Sequence, residues 1–149
     1  MTAQPSAGWF EGREHRLPVR VYYEDTDFTG VVYHANYARY FERGRSDFLR
    51  LAGVDHSALL GLDPPLGFVV VRLAVDFARP ARIDDALEVR TVFESGRGAR
   101  FAIRQRLVRE EDLLASAEVD VACIELSGRP RRLPPDLMGR LGPLLAAGG

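Results

Sequence analysis

The apolar positions of this chain change their period partway along. From Asn36, the residues Tyr37, Tyr40, Phe41, Phe48 and Leu51 recur at steps of three, four and seven, with Gly44 on the same face. That is the repeat of one helical stripe. Arg39, Glu42, Arg43, Arg45, Asp47 and Arg50 fall on the other face, which reads as solvated or as an interface. Gly53 supplies the stop. A glycine on the apolar stripe costs helix stability, so Gly44 is expected to allow close approach of a covering sheet. A short second helix is predicted over Asp55 to Leu62, with Asp55 as its cap. After Pro64-Pro65 the pattern is that of strands. Phe68 to Phe77 is almost continuously apolar, and Pro80 and Asp84-Asp85 break it. Leu87, Val89, Thr91 and Phe93 then alternate with polar residues up to a turn at Ser95 to Gly98. Phe101, Ile103 and Leu107 alternate up to a turn at Glu110 to Asp112, and Ala115, Ala117, Val119, Val121 and Cys123 close the series. Strands joined by such short turns form an antiparallel meander.

Ahead of the helix, Leu17 to Tyr23 reads as a strand and Glu24 to Gly30, dense in Asp and Thr, as a loop. Residues 1 to 14 have no period and read as a flexible leader before a single domain over 15–149. Leu133 to Ala147 holds at most a short helix, interrupted by Gly and Pro. The order is strand, helix, then four strands. One long amphipathic helix on one antiparallel sheet is an α+β architecture. Its free edges and one open face are what a homo-oligomer would cover.

A length of 149 residues predicts one domain. Such a chain buries about two-thirds of its unfolded surface and needs no disulfide or metal staple. The net charge of −1 offers no broad basic field for nucleic acid. All 20 basic residues are Arg, which removes Schiff-base and Walker-type lysine chemistry. The single Cys123 rules out an internal disulfide framework and multi-Cys zinc sites. It lies in a strand pattern and reads as a small core side chain. Met1 to Trp9 has neither the basic start nor the apolar stretch of a secretory signal, and the longest apolar run ends at Arg72. A soluble, cytoplasmic protein is expected.

The stretch from Tyr22 to Tyr37 carries the candidate chemistry. Asp25 and Asp27 stand two apart before a helix start; in extended backbone their side chains would point the same way. A helix N-terminus offers unpaired N–H groups and a positive dipole end. Such a place stabilises an oxyanion and keeps a nearby carboxylate ionised, ready to attack a carbonyl or activate water. Either Asp can equally cap the helix or an Asx turn toward Gly30. Asp25, Asp27, Thr29 and Gly30 also match the first positions of a calcium loop, but its twelfth position is Asn36 in place of Glu. His34 is the histidine nearest these acids and reads as a base, a donor to substrate or a packed polar residue. His15 and His56 show no metal spacing with it, and His56 reads as an exposed helix-start residue. The sequence has neither a nucleophile elbow nor a Gly-rich dinucleotide fingerprint. Arg97 to Arg100 and Arg129, Arg131 and Arg132 are candidate phosphate contacts or simply solvated surface.

Together these residues resemble hotdog-fold acyl-CoA thioesterases of the 4-hydroxybenzoyl-CoA thioesterase family, and most of all the Tol–Pal-associated branch. The resemblance is carried by Val19 to Arg50, by Phe68 to Val89 and by the Ser95 to Val108 hairpin, and covers nearly the whole chain. It implies a five-stranded antiparallel sheet wrapped around one long helix, and subunits paired into homodimers or homotetramers with the active site between them. It implies Asp27, the second acid of the Asp-x-Asp pair, as nucleophile or general base, and the His34 N–H as donor to the thioester carbonyl. Gly30, the glycine of the motif, and Val31 are implied substrate-binding residues, and Phe28-Thr29 is the motif's variable pair. Tyr33, Tyr37 and Val70 are the implied acyl lining, and Arg97 a contact for the CoA phosphates. The reaction needs no metal or other cofactor, since CoA arrives with the substrate. The branch also implies partners in the cell-envelope machinery. A hotdog dehydratase would carry Pro-Gly after its motif His, where this chain has Ala35-Asn36. A non-catalytic acyl-CoA-binding or scaffold protein is the other reading, and thiol release separates it from an enzyme.

Overall fold

A computed structural model describes residues 1–5 and 7–147. Six strands form one antiparallel sheet: β1 (Trp9–Glu11), β2 (Glu14–Arg20), β3 (Leu66–Phe77), β4 (Ala86–Arg97), β5 (Arg100–Arg109) and β6 (Asp112–Glu125). Their order across the sheet is β1-β2-β4-β5-β6-β3. The helices are α1 (Asn36–Leu51), α2 (His56–Leu60) and α3 (Pro135–Leu141), with 3₁₀ turns at Tyr23–Asp25 and Gly142–Leu144. This is the expected α+β layering, with α1 laid on β2, β4 and β5.

The sheet has one strand more than expected, and that strand lies inside the presumed leader. Gly12, at a φ of 63°, turns Trp9-Phe10-Glu11 back onto β2, pairing Trp9 with Arg16 and Glu11 with Glu14. Phe10 pins the hairpin by packing edge-on against Phe48, with ring centroids 4.9 Å apart. Burial of that ring by α1 holds a segment whose own sequence has no repeat. The domain boundary expected at residue 15 therefore falls in the middle of a hairpin. At the other end, α3 and the second 3₁₀ turn close the core with Leu137, Leu141 and Leu145.

Tyr37, Tyr40, Phe41 and Phe48 are buried as the periodicity predicts. Three positions depart from it. Leu51, in the last turn, is exposed, and Leu49 is buried in its place. Asp47, assigned above to the solvated face, is buried too. Its Oδ2 lies 2.7 Å from Nε2 of the fully buried His15 and accepts the Gly8 N–H at 2.8 Å. Burial pushes His15 below its ordinary value, and Asp47 only partly offsets that. The pair clips the N-terminal hairpin onto α1. Farther along, Asp55 precedes α2 without a side-chain cap bond. The turn expected from Ser95 is narrower than predicted, because β4 runs on to Arg97 before reversing at Gly98.

Gly44 sits where helix and sheet come closest. A Cβ there would lie 2.6 Å from Val89 Cγ1, 2.9 Å from Thr91 Oγ1 and 3.0 Å from Gln105 Nε2. Gln105 is itself fully buried, donating to the Phe41 carbonyl at 2.8 Å and to Thr91 Oγ1 at 2.9 Å. Gly44→Ala is expected to lower stability by about 1–3 kcal/mol in urea unfolding, since overpacking outweighs the gain in helix propensity. A variant as stable as the parent would contradict this contact.

Candidate active site

The loop between β2 and α1 is built from short backbone ties. Asp27 N–H donates to the Val31 carbonyl at 2.9 Å, and Gly30 N–H donates back to the Asp27 carbonyl at 3.3 Å. Gly30 stands at a φ of 85°, which closes the turn in a region that side chains disfavour. The Gly30 carbonyl accepts from Ile83 N–H at 3.1 Å and Val32 N–H donates to the Ala81 carbonyl at 2.8 Å. The loop is therefore stitched to the segment between β3 and β4, with Phe28 fully exposed at its tip.

The two acids have different surroundings, because the 3₁₀ turn ends the extended backbone that would have aligned them. Asp25 is buried, and its Oδ2 accepts the Tyr22 N–H at 2.8 Å. Its carbonyl accepts Tyr33 N–H at 3.0 Å and Asn36 Nδ2 at 2.8 Å. Asp25 thus fastens the loop to the first residue of α1. Burial and the Asp25 carboxylate both push the Tyr40 hydroxyl well above its ordinary value, although no hydrogen bond of sound geometry joins them. Asp27 is half-buried. Thr29 donates to its Oδ1 through both the hydroxyl, at 2.6 Å, and the backbone N–H, at 2.7 Å. These two bonds, the hydroxyl's first, hold the Asp27 carboxyl below the usual range and keep it charged at neutral pH.

The start of α1 supplies open donors. Ala35 precedes the helix with no side-chain cap bond. Among the described residues, neither the His34 nor the Ala35 N–H has a hydrogen-bond partner, while Asn36 and Tyr37 are tied back to the Tyr33 and His34 carbonyls. Unpaired N–H groups at the positive end of a helix suit a developing oxyanion.

Within one chain, the sequence-predicted residues fall into two groups. Asp27, Gly30, Val31, Tyr33, His34 and Tyr37 lie on this loop and on the first turn of α1. An open groove there is lined by Val32, His34, Tyr37, Phe77, Arg79 and Pro80. Asp27 is not in its lining but stands one bridge away, since Thr26 pairs with Val32. Tyr37 is buried and its Oη accepts the Ala81 N–H at 3.0 Å, so its ring, edge-on to Phe77, is the part that meets the groove. Val70 and Arg97 lie elsewhere. Val70 lines a separate cavity of about 120 Å³ with Leu49, Phe68, Phe93, Ile103 and Val121, rimmed by Glu42, Arg45 and Ser46. Arg97 is at the far tip of the β4–β5 hairpin. The sequence marks Thr29 and Asn36 only as positions of an incomplete calcium loop and Phe77 only as the end of a strand; the placing of Thr29 two residues after Asp27 is the local signal of a side chain able to bond it.

The chain matches the model of the thioesterase-like superfamily over residues 21–141. It is 45% identical to the Acyl-CoA thioester hydrolase YbgC of Escherichia coli O6:H1, over 83% of this chain and 92% of that protein. It is 47% identical to the Acyl-CoA thioesterase YbgC of Haemophilus influenzae, over 74% and 80% respectively. A crystal structure of a probable thioesterase from Bartonella henselae superposes with a TM-score of 0.79 at 46% identity, covering 81% of this chain and 99% of that one. Sheet, helix, loop and relatives agree: the chain belongs to the thioesterase-like superfamily and has its hotdog fold.

Proposed function

We propose that this protein hydrolyses the thioester of an acyl-CoA, releasing the free acid and CoA. One observation carries the reading: a half-buried, charged carboxylate, Asp27, is fixed on the loop that leads into two unpaired N–H groups at the start of α1. The relatives named as acyl-CoA thioester hydrolases and acyl-CoA thioesterases support the substrate class.

The carbonyl oxygen of the thioester docks on the His34 N–H, where losing one such donor typically costs roughly 10²–10³ in rate. Asp27 then acts in one of two ways. As a base it takes a proton from water; the hydroxide adds to the carbonyl carbon, and the tetrahedral intermediate expels CoA thiolate, which picks up the proton. As a nucleophile it forms the carbon–oxygen bond itself and expels the thiolate; water then cleaves the mixed anhydride and regenerates the carboxylate. Labelled oxygen from water appearing in Asp27 after one turnover marks the second route.

Val70 and Arg97 act on the site of a neighbouring copy in this reading. Support comes from β3, which is one edge of the sheet and exposes Val69, Val70, Val71, Leu73 and Phe77. An exposed apolar edge of that length is suited to pairing. The cavity behind Val70 takes the acyl tail, and Arg97 reaches the CoA phosphates. No helix among the described residues is long and apolar enough to cross a membrane. Partners in the cell-envelope machinery and a cytoplasmic location belong to the same proposal.

The test is thiol release across a panel of acyl-CoAs of rising chain length together with aryl-CoAs. Catalytic turnover, with one acid formed per thiol, is expected for at least one member. Saturable binding of acyl-CoA without release would mark a non-catalytic binding protein and overturn the proposal.

A further inference from the structure

We propose that Thr29 is a positioning residue for this reaction: it occupies Oδ1 of Asp27 with two donors, its hydroxyl and its own N–H, and so leaves Oδ2 as the oxygen that acts. The inference rests on Asp27 being the reactive carboxylate. The distances are 2.6 Å from the hydroxyl and 2.7 Å from the N–H. Among the described residues, no hydrogen bond of sound geometry reaches Oδ2 of Asp27, and the Val31 N–H is the further backbone donor that acts on the carboxyl.

An ionised carboxylate oxygen offers two in-plane lone pairs, and two donors engage both. A carboxylate held on one oxygen cannot rotate freely to exchange the two, so its free oxygen keeps one direction. Any residue but Pro at position 29 provides the N–H, but only Thr or Ser adds the hydroxyl. The Thr29 side chain is exposed, and among the described residues its hydroxyl makes no other bond. A role in holding the fold is therefore small, and the effect of removing the hydroxyl should appear in the chemistry. The hydroxyl also favours the charged form of Asp27, the largest of the influences that lower its proton affinity. Its removal raises that affinity. The ionised fraction is then lost at a higher pH, and the acid limb of the rate profile moves upward.

The experiment compares the parent, Thr29→Ala, Thr29→Val, Thr29→Ser and Asp27→Asn by steady-state thiol release over a range of pH. Thr29→Ala and Thr29→Val should each lower kcat by roughly tenfold, the effect of losing one charge-assisted hydrogen bond, with KM changing by less than about twofold. Both should move the acid limb of kcat/KM to higher pH. Thr29→Ser, which keeps the hydroxyl, should restore both quantities. Thr29→Ala with parental kcat and an unmoved limb would overturn the proposal and leave Asp27 standing. So would a loss of rate with an unmoved limb that Ser fails to restore, since that is the mark of a merely structural residue. If Asp27→Asn keeps parental activity, the assignment of the carboxylate falls, and the role of Thr29 falls with it.

Discussion

Asp27→Asn is expected to lower kcat/KM on a good acyl-CoA by roughly 10²–10⁴, the contribution of a positioned base or nucleophile, and to leave the melting transition in place. Asn has nearly the shape of Asp, and its Oδ1 can still accept both bonds from Thr29. The loop geometry should therefore survive. What is lost is the negative charge, and with it the ability to take a proton or to attack. Asp25→Asn is the companion measurement. Asp25 is buried and its carboxylate is taken up by the Tyr22 N–H, so its change should act through loop position and have the smaller effect. Equal losses for the two variants would assign the chemistry to the pair and not to Asp27. A parental rate for Asp27→Asn would remove the residue from the mechanism.

The largest expected effect on stability belongs to Asp47→Ala. Its carboxylate accepts from buried His15 and from the Gly8 N–H, and Arg50 approaches the other oxygen at 3.4 Å. Removing it leaves the buried His15 and the half-buried Gly8 N–H without a partner. Leaving such donors unsatisfied costs about 1–3 kcal/mol each. A domain with about 5–15 kcal/mol in all would then be marginal, and its melting point should drop by on the order of ten degrees. Asp47→Asn retains an acceptor oxygen and should cost less. A melting point within a degree or two of the parent would show that the N-terminal hairpin is not fastened through this pair.

What could be read from the sequence was whatever rests on neighbours in the chain. The stripe of α1, the β4–β5–β6 meander and the close approach at Gly44 all rest on local periods of about 3.6 and 2, and the structure has each of them, whereas β3, expected first in the same series, crosses the sheet to pair with β6. The candidate loop was legible for the same reason: Asp27, Gly30 and His34 lie within one turn and one helix start. Long-range partnerships were not. Asp47 sits at a polar-face position and becomes a core residue only because His15, thirty-two residues away, arrives opposite it. Strand β1 has too little repeat to be seen and is held by Phe10 against Phe48. Asp25 and Asp27 diverge because three residues adopt a 3₁₀ turn, a distinction that composition does not carry. Val70 and Arg97 were grouped with Asp27 by resemblance alone, and the fold of a single chain puts them in other regions.

The central claim is that the thioester reacts between the Asp27 carboxylate and the open amides at the start of α1. A crystal structure of the Asp27→Asn variant with an intact acyl-CoA tests it most directly. The thioester oxygen should lie within about 3 Å of the His34 N, with the carbonyl carbon about 3–3.5 Å from the residue 27 side chain or from a water bound to it. A thioester seated away from both groups, with that helix start left open to solvent, would contradict it.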